Sequence, residues 1–387
     1  MPRTGDRQSL ASVARALGVS TATVSNAFNR PDRVSAELRT RVLEHSRAVG
    51  YTGPDPAARH LRRGRSDVIG LVFTDDLPFA FEDQAAVGFL AGVAGACGAS
   101  GRNLLMLAAG PPTASPAGSS SSSVTTAAVD GLIVYSVPDT DPHLAAAVER
   151  GLPVVVVDQP RDHPQADWVG LDDRSAARDL ARYVAGLGHR RIAVVCTRLG
   201  ATRYNGAVPA DRRRAATYAV QRERLAGLFE GFAAAGIGED DIVVEERFLA
   251  SRPAGADALD AVLARRPDLT AVCCLADVLA LGVLEAAERH GRRVPDDLTV
   301  TGFDDIPEAA HAGLTTVQQP LALKGREAGR LLLERLAEGE HPGSGPGTGA
   351  GQRPRRVVLP TVLQGRRSSG PVPDRTSDRP TTHTPRR

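Results

Sequence analysis

The chain contains a single lysine. All but Lys324 of its 47 basic residues are arginine, and because arginine is used everywhere rather than only at candidate contacts, the bias reads mainly as genomic base composition. Cysteine is scarce as well. Cys97, Cys196, Cys273 and Cys274 lie far apart or side by side, with no C-x-x-C pair and no disulfide-like spacing, which leaves buried thiols in a reducing compartment. No stretch approaches the roughly 20 uninterrupted apolar residues of a membrane helix. No apolar run follows Met1, so neither a signal peptide nor a membrane span is expected, and the expected location is cytoplasmic and nucleoid-associated. Catalytic signatures are missing too: there is no G-x-S-x-G elbow, no H-E-x-x-H pair, no Walker loop and no His/Cys cluster at metal-ligand spacing. Catalytic residues, cofactors and metals are therefore not expected, and the chain does not read as an enzyme.

What is present is charge, unevenly distributed. The net charge is only +2. Residues 1–66 nevertheless hold 12 Arg against 5 acidic residues, a net of +7, whereas residues 67–365 hold 29 basic against 38 acidic, a net of −9. A basic head on an acidic body is the footprint of one module that meets phosphate and another that does something else.

The head opens with LASVARALGVSTATVSNAFN, residues 10–29. Leu10, Val13, Ala14 and Leu17 recur at i, i+3, i+4 and i+7, one face of a helix. Ser9 stands where an N-cap belongs, and Gly18 where the helix must end in a left-handed residue. Ser20 then caps a second helix whose apolar side is Val24, Ala27 and Phe28. The spacing is that of a helix-turn-helix: Ala14 where the helices touch, Gly18 in the turn, Val24 behind the second helix. The opposite face presents Thr21, Ala22, Ser25, Asn26 and Asn29, short side chains able to reach base edges. With Ser20, Thr23 and Arg33 they form the predicted DNA-contact set. A third amphipathic run, capped by Ser35 and carrying Leu38, Val42, Leu43 and Val49, closes the unit. Taken alone, the segment also fits a helical hairpin buried in a larger core.

Residues 50–66, GYTGPDPAARHLRRGRS, break at Gly53 and Pro54 and then offer a short helix over 57–63 opened by Pro56. Arg59 and Arg62 flank Leu61 there. Leu61 either packs on its own chain or wedges into a minor groove while the arginines hold phosphates, and the preceding helix-turn-helix favours the wedge.

From residue 67 the rhythm changes to strand and helix in alternation, with continuous β-branched runs such as PVVVVD and RIAVVC. That is the pattern of parallel sheets covered on both faces, and two doubly wound lobes fit the count better than one. Three stretches resist: residues 111–123 read as flexible chain, 198–215 as a long loop, and 341–356 as a glycine-rich surface connection with no strand leading into it. The resulting organisation is a head over 1–53, a hinge helix over 54–66 and a core over 67–365. Within the core, one lobe takes about 67–170 and 320–346, the other about 171–318 and 347–365; a tail over 366–387 lacks core formers and reads as disordered.

The order and spacing of several motifs resemble the LacI/GalR family of bacterial transcription regulators, from about residue 8 to 367. The motifs include SLASVARALGVSTATVSNAFN (9–29), PAARHLRRGR (56–65), VDGLIV (129–134), LGHRRIA (187–193), RLAG (224–227), ADVLALG (276–282) and GRRVPDDLTVTGFDD (291–305). The resemblance implies an all-α helix-turn-helix head joined to an α/β core of two lobes, like type I periplasmic binding proteins. It also implies a homodimer on a pseudo-palindromic DNA operator, a small-molecule effector in the cleft, and no membrane. Thr21, Ala22 and Asn26 fall on the family's base-reading positions and Leu61 on its wedging leucine. Many relatives have Arg at the position of Asn26; Arg suits guanine and Asn adenine, so operator preference does not transfer.

In the core, the resemblance puts Arg224 on an arginine that holds a ligand hydroxyl or carboxylate, and Asp277 on an aspartate that takes paired hydroxyls. Asp158, Asp75 and Phe79 are expected in the other lobe's share of the cleft. The alternative readings are that Asp277 merely caps a helix and that Arg224 pairs with an acid. The chain departs from the family at Ala276, at Leu321, which stands where an aromatic is familiar, and in a lengthened loop before Arg224. The function expected is that of a transcriptional regulator, a repressor, controlled by a sugar or nucleoside. Rival readings are an enzyme, which no motif supports, and a solute-binding transport protein, which the basic head argues against.

Overall fold

The computed structural model describes residues 9–53, 65–73, 77–108, 120–339 and 353–372. They divide into two compact units, Met1–Ser66 and Asp67–Arg387. The predicted hinge contacts Arg59, Leu61 and Arg62 lie outside the described residues, as do Asp75 and the side chain of Phe79.

Among its described residues the first unit has three α-helices, α1 (Leu10–Leu17), α2 (Thr21–Asn29) and α3 (Ala36–Ala48). Ser9 and Ser12 form a reciprocal capping box at the start of α1, and Gly18 ends it at φ +66°. The hydroxyls of Ser20 and Ser35 accept from the amides of Thr23 and Leu38, capping α2 and α3. Val13, Val24, Ala27 and Val42 are fully buried at the centre, and Phe28 meets Tyr51 edge-on at 5.8 Å.

The second unit begins with β1 (Val68–Phe73), α4 (Leu77–Glu82), α5 (Gln84–Ala99), β2 (Asn103–Ala108), α6 (Ser120–Thr126), β3 (Gly131–Tyr135), α7 (Pro142–Glu149), β4 (Val154–Val157) and β5 (Asp167–Leu171). It continues with α8 (Asp173–Gly186), β6 (Ile192–Cys196), β7 (Asn205–Ala207), α9 (Ala210–Arg214), α10 (Ala219–Ala234), β8 (Ile242–Arg247), α11 (Arg252–Arg265), β9 (Ala271–Cys274), α12 (Asp277–Arg289), β10 (Thr299–Asp304), α13 (Pro307–Ala312) and β11 (Thr315–Gln318). Last come α14 (Leu321–Glu338), β12 (Arg356–Leu359) and β13 (Val362–Gln364). The strands make two sheets, β12-β5-β4-β3-β1-β2 and β13-β11-β10-β9-β6-β8-β7. The first is parallel throughout; the second is parallel except at its edges, where β7 and β13 run antiparallel to their neighbours. Both faces are covered, so the central strands bury every residue, VVVV in β4 and IAVVC in β6 among them.

Among the described residues the chain passes between lobes three times: after β5, between β11 and α14, and between β12 and β13. The last passage corrects the expected lobe boundary, because β12 pairs with β5 in the first lobe and not with the second. Other departures share one cause, tertiary contact that periodicity does not reveal. Residues 120–126 form a helix rather than flexible chain, pinned by fully buried Val124 and by Arg150, whose guanidinium donates to the carbonyls of Val124 and Ala127. The expected loop at 198–215 contains β7 and α9, anchored where Arg212 grips fully buried Glu246 through two hydrogen bonds. The chain also stays packed beyond residue 365: Ser368 is buried with its hydroxyl donating to Val300 O, and Gly370 O meets the ring of buried His189 at 2.9 Å.

Candidate functional site

The C-terminal ends of strands from both sheets face one cleft of about 150 Å³, the place where open parallel sheets bind ligands. Three carboxyls converge there: Asp83 at the N-cap of α5, Asp158 after β4, and Asp304 at the end of β10. They surround Tyr135, whose hydroxyl is held well above the usual tyrosine range by burial and then by Asp158, Asp83 and Asp304. The Tyr135 ring stacks on Phe73 at 4.9 Å and Phe89 at 4.4 Å, which fixes it as a wall. Burial, followed by the charge of Asp277, likewise pushes the Asp304 carboxyl well up. Asp158 and Asp304 adopt positive φ, +65° and +135°, strained backbone of the kind that gathers at ligand sites. At another part of the cleft wall the Arg198 guanidinium lies between Tyr218 and Phe248, 5.1 and 5.6 Å from their ring centres. Acids, amides and flat apolar faces in one concave site suit a small ligand with several hydroxyls.

Of the predicted cleft residues, Asp158, Arg224 and Leu321 line it. Arg224 does so while paired. It is 6% exposed, its Nε donates to Asp173 Oδ1 at 2.7 Å and its Nη1 to Leu275 O at 2.9 Å, and it lies over Phe303 at 3.6 Å. Burial raises the Asp173 carboxyl despite that arginine.

Asp277 is a correction. Its side chain is fully buried and turned away from the cleft, with Oδ1 accepting from Thr316 Oγ1 at 2.6 Å and Oδ2 from Ile306 N at 3.0 Å. Its neighbours Ala276 and Val278 line the cleft instead. The carboxyl that faces the cavity from this lobe is Asp304, in the motif TVTGFDD. Position after a parallel strand was a usable signal for it; Asp83 and Tyr135 carried none that distinguished them from a cap and a core aromatic.

In the first unit, Ser20, Thr21, Ala22, Asn29 and Arg33 are exposed, and Ser25 and Asn26 half-buried. Four of the predicted contact residues are engaged locally: half-buried Thr23 shares a hydroxyl hydrogen bond of 2.8 Å with Ser20, and Asn29 donates to Ser25 O at 3.0 Å. Thr21, Ala22 and Asn26 thus form a face of short side chains on α2, two polar and one a methyl, backed by buried Val24 and Ala27.

Two family models match the chain: bacterial regulatory proteins of the lacI family over residues 9–53 and the periplasmic binding protein-like domain over 181–369. An HTH-type transcriptional regulator of Mycobacterium tuberculosis is 47% identical over 328 residues, 85% of this chain and 91% of that protein. Among solved structures, a LacI-family transcriptional regulator from Corynebacterium glutamicum is 37% identical with a TM-score of 0.70, covering 95% of this chain and all of that one. The transcriptional regulator CelR in complex with cellobiose is 29% identical with a TM-score of 0.65, covering 94% and 100%. These relatives are regulators rather than enzymes. Head, cleft and matches agree: the chain belongs to the lacI family of bacterial transcriptional regulators, with a DNA-binding domain and a ligand-binding domain.

Proposed function

We propose that the protein is a cytoplasmic, homodimeric repressor that binds a pseudo-palindromic operator and changes its operator affinity when a sugar or nucleoside fills the cleft. Two α2 helices would enter successive major grooves, with Thr21, Ala22 and Asn26 toward base edges and Arg33 toward phosphate. Residues 54–66 would act as the hinge, Leu61 wedging a minor-groove step between Arg59 and Arg62. The observation that carries the effector reading is the convergence of Asp83, Asp158 and Asp304 on Tyr135 in a cleft walled by aromatic rings. Carboxyls bind paired hydroxyls with geometric specificity, and ring faces cover the apolar side of a sugar or base. CelR bound to cellobiose offers the same class of ligand in a relative. A ligand favouring one arrangement of the lobes shifts the DNA-competent population by its differential affinity and by nothing else.

The test is a thermal-shift screen of sugars and nucleosides on the full chain, then footprinting upstream of its own and adjoining genes with and without the hit. A protected, roughly symmetric site whose occupancy changes with the hit is expected. No protected site would overturn the operator reading, and no stabilisation by any sugar or nucleoside would overturn the effector class.

A further inference from the structure

The one lysine of the chain is also fully buried. Lys324, 1% exposed, lies in the first turn of α14, just after the chain passes from the second lobe to the first. Its Nζ donates to Asp158 Oδ1 at 2.7 Å and to Gln319 Oε1 at 2.7 Å. Gln319 Nε2 donates in turn to Asp304 Oδ1 at 2.5 Å. One ammonium therefore engages a cleft carboxyl of the first lobe directly and a cleft carboxyl of the second through an amide.

The position of this ammonium is set by backbone. A Cβ on Gly325 would lie 2.1 Å from Phe89 O, and one on Gly92 2.1 Å from Ala322 O. Helices α5 and α14 thus touch main chain to main chain on either side of Lys324, and its stem cannot swing aside without parting them. Burying an ammonium costs several kcal/mol unless its partners are well placed. A methionine would fill the volume without that cost, so the cation is not needed for packing.

We propose that Lys324 is a positioning residue of the ligand cleft, holding Asp158 and, through Gln319, Asp304 in the orientations that receive a ligand's hydroxyls. The inference rests on the reading of the cleft as an effector site. Neither carboxyl can turn toward or away from the ligand without breaking a link of the same chain, so Lys324 ties the halves of the site into one constellation across the two lobes.

A single lysine makes this testable on the full chain. With lysine labelled at its side-chain carbons, Lys324 is the one lysine signal. It should move in Asp158→Asn and in Gln319→Met, and an acylating reagent should leave it unmodified while it modifies the terminal amine. Isothermal titration with D-ribose, D-glucose, cellobiose and adenosine then compares wild type with Lys324→Met. The affinity of any of the four that binds wild type should fall at least tenfold. Gln319→Met, which keeps the Lys324–Asp158 pair, should lower it as well. A merely structural lysine would lower the melting midpoint without moving affinity, and Asp158→Asn combined with Lys324→Met should restore the midpoint without restoring binding. A lysine signal indifferent to Asp158→Asn and Gln319→Met, ready acylation of Lys324, or unchanged affinity in both methionine variants would overturn the proposal. Failure of all four compounds on wild type would count against the effector class, while the lysine signal still decides the role of Lys324.

Discussion

Asp277 and Gly302 compete for one space: a Cβ on Gly302 would lie 2.1 Å from Asp277 Oδ1. The carboxyl therefore turns under β10 rather than into the cleft, and the missing side chain on the strand is what lets it do so. Gly302→Ala should break the Asp277–Thr316 hydrogen bond and destabilise the core by about 3 kcal/mol, the scale of an overpacked or unpaired buried site. Urea unfolding of the full chain measures this; a midpoint within error of wild type would contradict the packing described.

Burial pushes the Asp277 carboxyl up to about 6 from its ordinary 3.8, against hydrogen bonds that lower it. The folded state then holds this proton more tightly than the unfolded chain. The contribution to stability is fully present below the ordinary value and is lost as pH rises through the folded one, at most about 3 kcal/mol in all. Asp304, also raised, acts in the same direction. The stability advantage of wild type over Asp277→Asn should therefore shrink between about pH 4 and 6, since the amide does not titrate. A constant difference across that range would rule the linkage out.

Arg224 and Asp173 form a buried ion pair, 7% and 8% exposed at their side chains. Arg224→Met strands a buried acid and should cost about 3–5 kcal/mol, while Arg224→Met with Asp173→Asn should recover much of it. Arg224→Lys is not conservative, because a single ammonium cannot repeat the fork that reaches both Asp173 and Leu275 O. Equal stability of the single and double variants would show that the pair is not coupled.

In the head, Asn26→Ala and Arg33→Ala should differ in kind. The first should relax discrimination at one base position by about 1–3 kcal/mol, the second should weaken binding to all sequences and flatten the salt dependence by about 0.9 in log–log slope. Electrophoretic shifts over a salt series with matched and single-substituted operators separate the two. Identical salt slopes for wild type and Arg33→Ala would remove Arg33 from the phosphate contacts.

Gly18 at φ +66° has open space around it, so an added methyl would meet no atom and only backbone strain. Gly18→Ala should cost about 1–2 kcal/mol of head stability without changing which bases are read. A changed base preference would mean that the turn does more than end α1.

Much of the molecule is legible along the chain because its determinants are local. The caps Ser9, Gly18, Ser20 and Ser35 and the period of Val13, Val24 and Val42 build the three-helix head from neighbours in sequence. Runs such as VVVV and IAVVC mark strands because both faces of each sheet are covered, and alternation does the rest. Those features, with the charge asymmetry between head and body, were determined by the sequence itself. The cleft was not, since its geometry depends on which strand ends meet and which way each carboxyl turns. Asp277 and Asp304 are both acids near the C-terminal end of a parallel strand; only the close approach of Gly302 and Thr316 sends one inward and leaves the other facing the cavity. Lys324 reads as a compositional remnant until three passages between lobes bring Asp158, Gln319 and Asp304 to it. Local pattern carries no information about such contacts, because they join residues far apart in the chain through packing that only the folded core supplies.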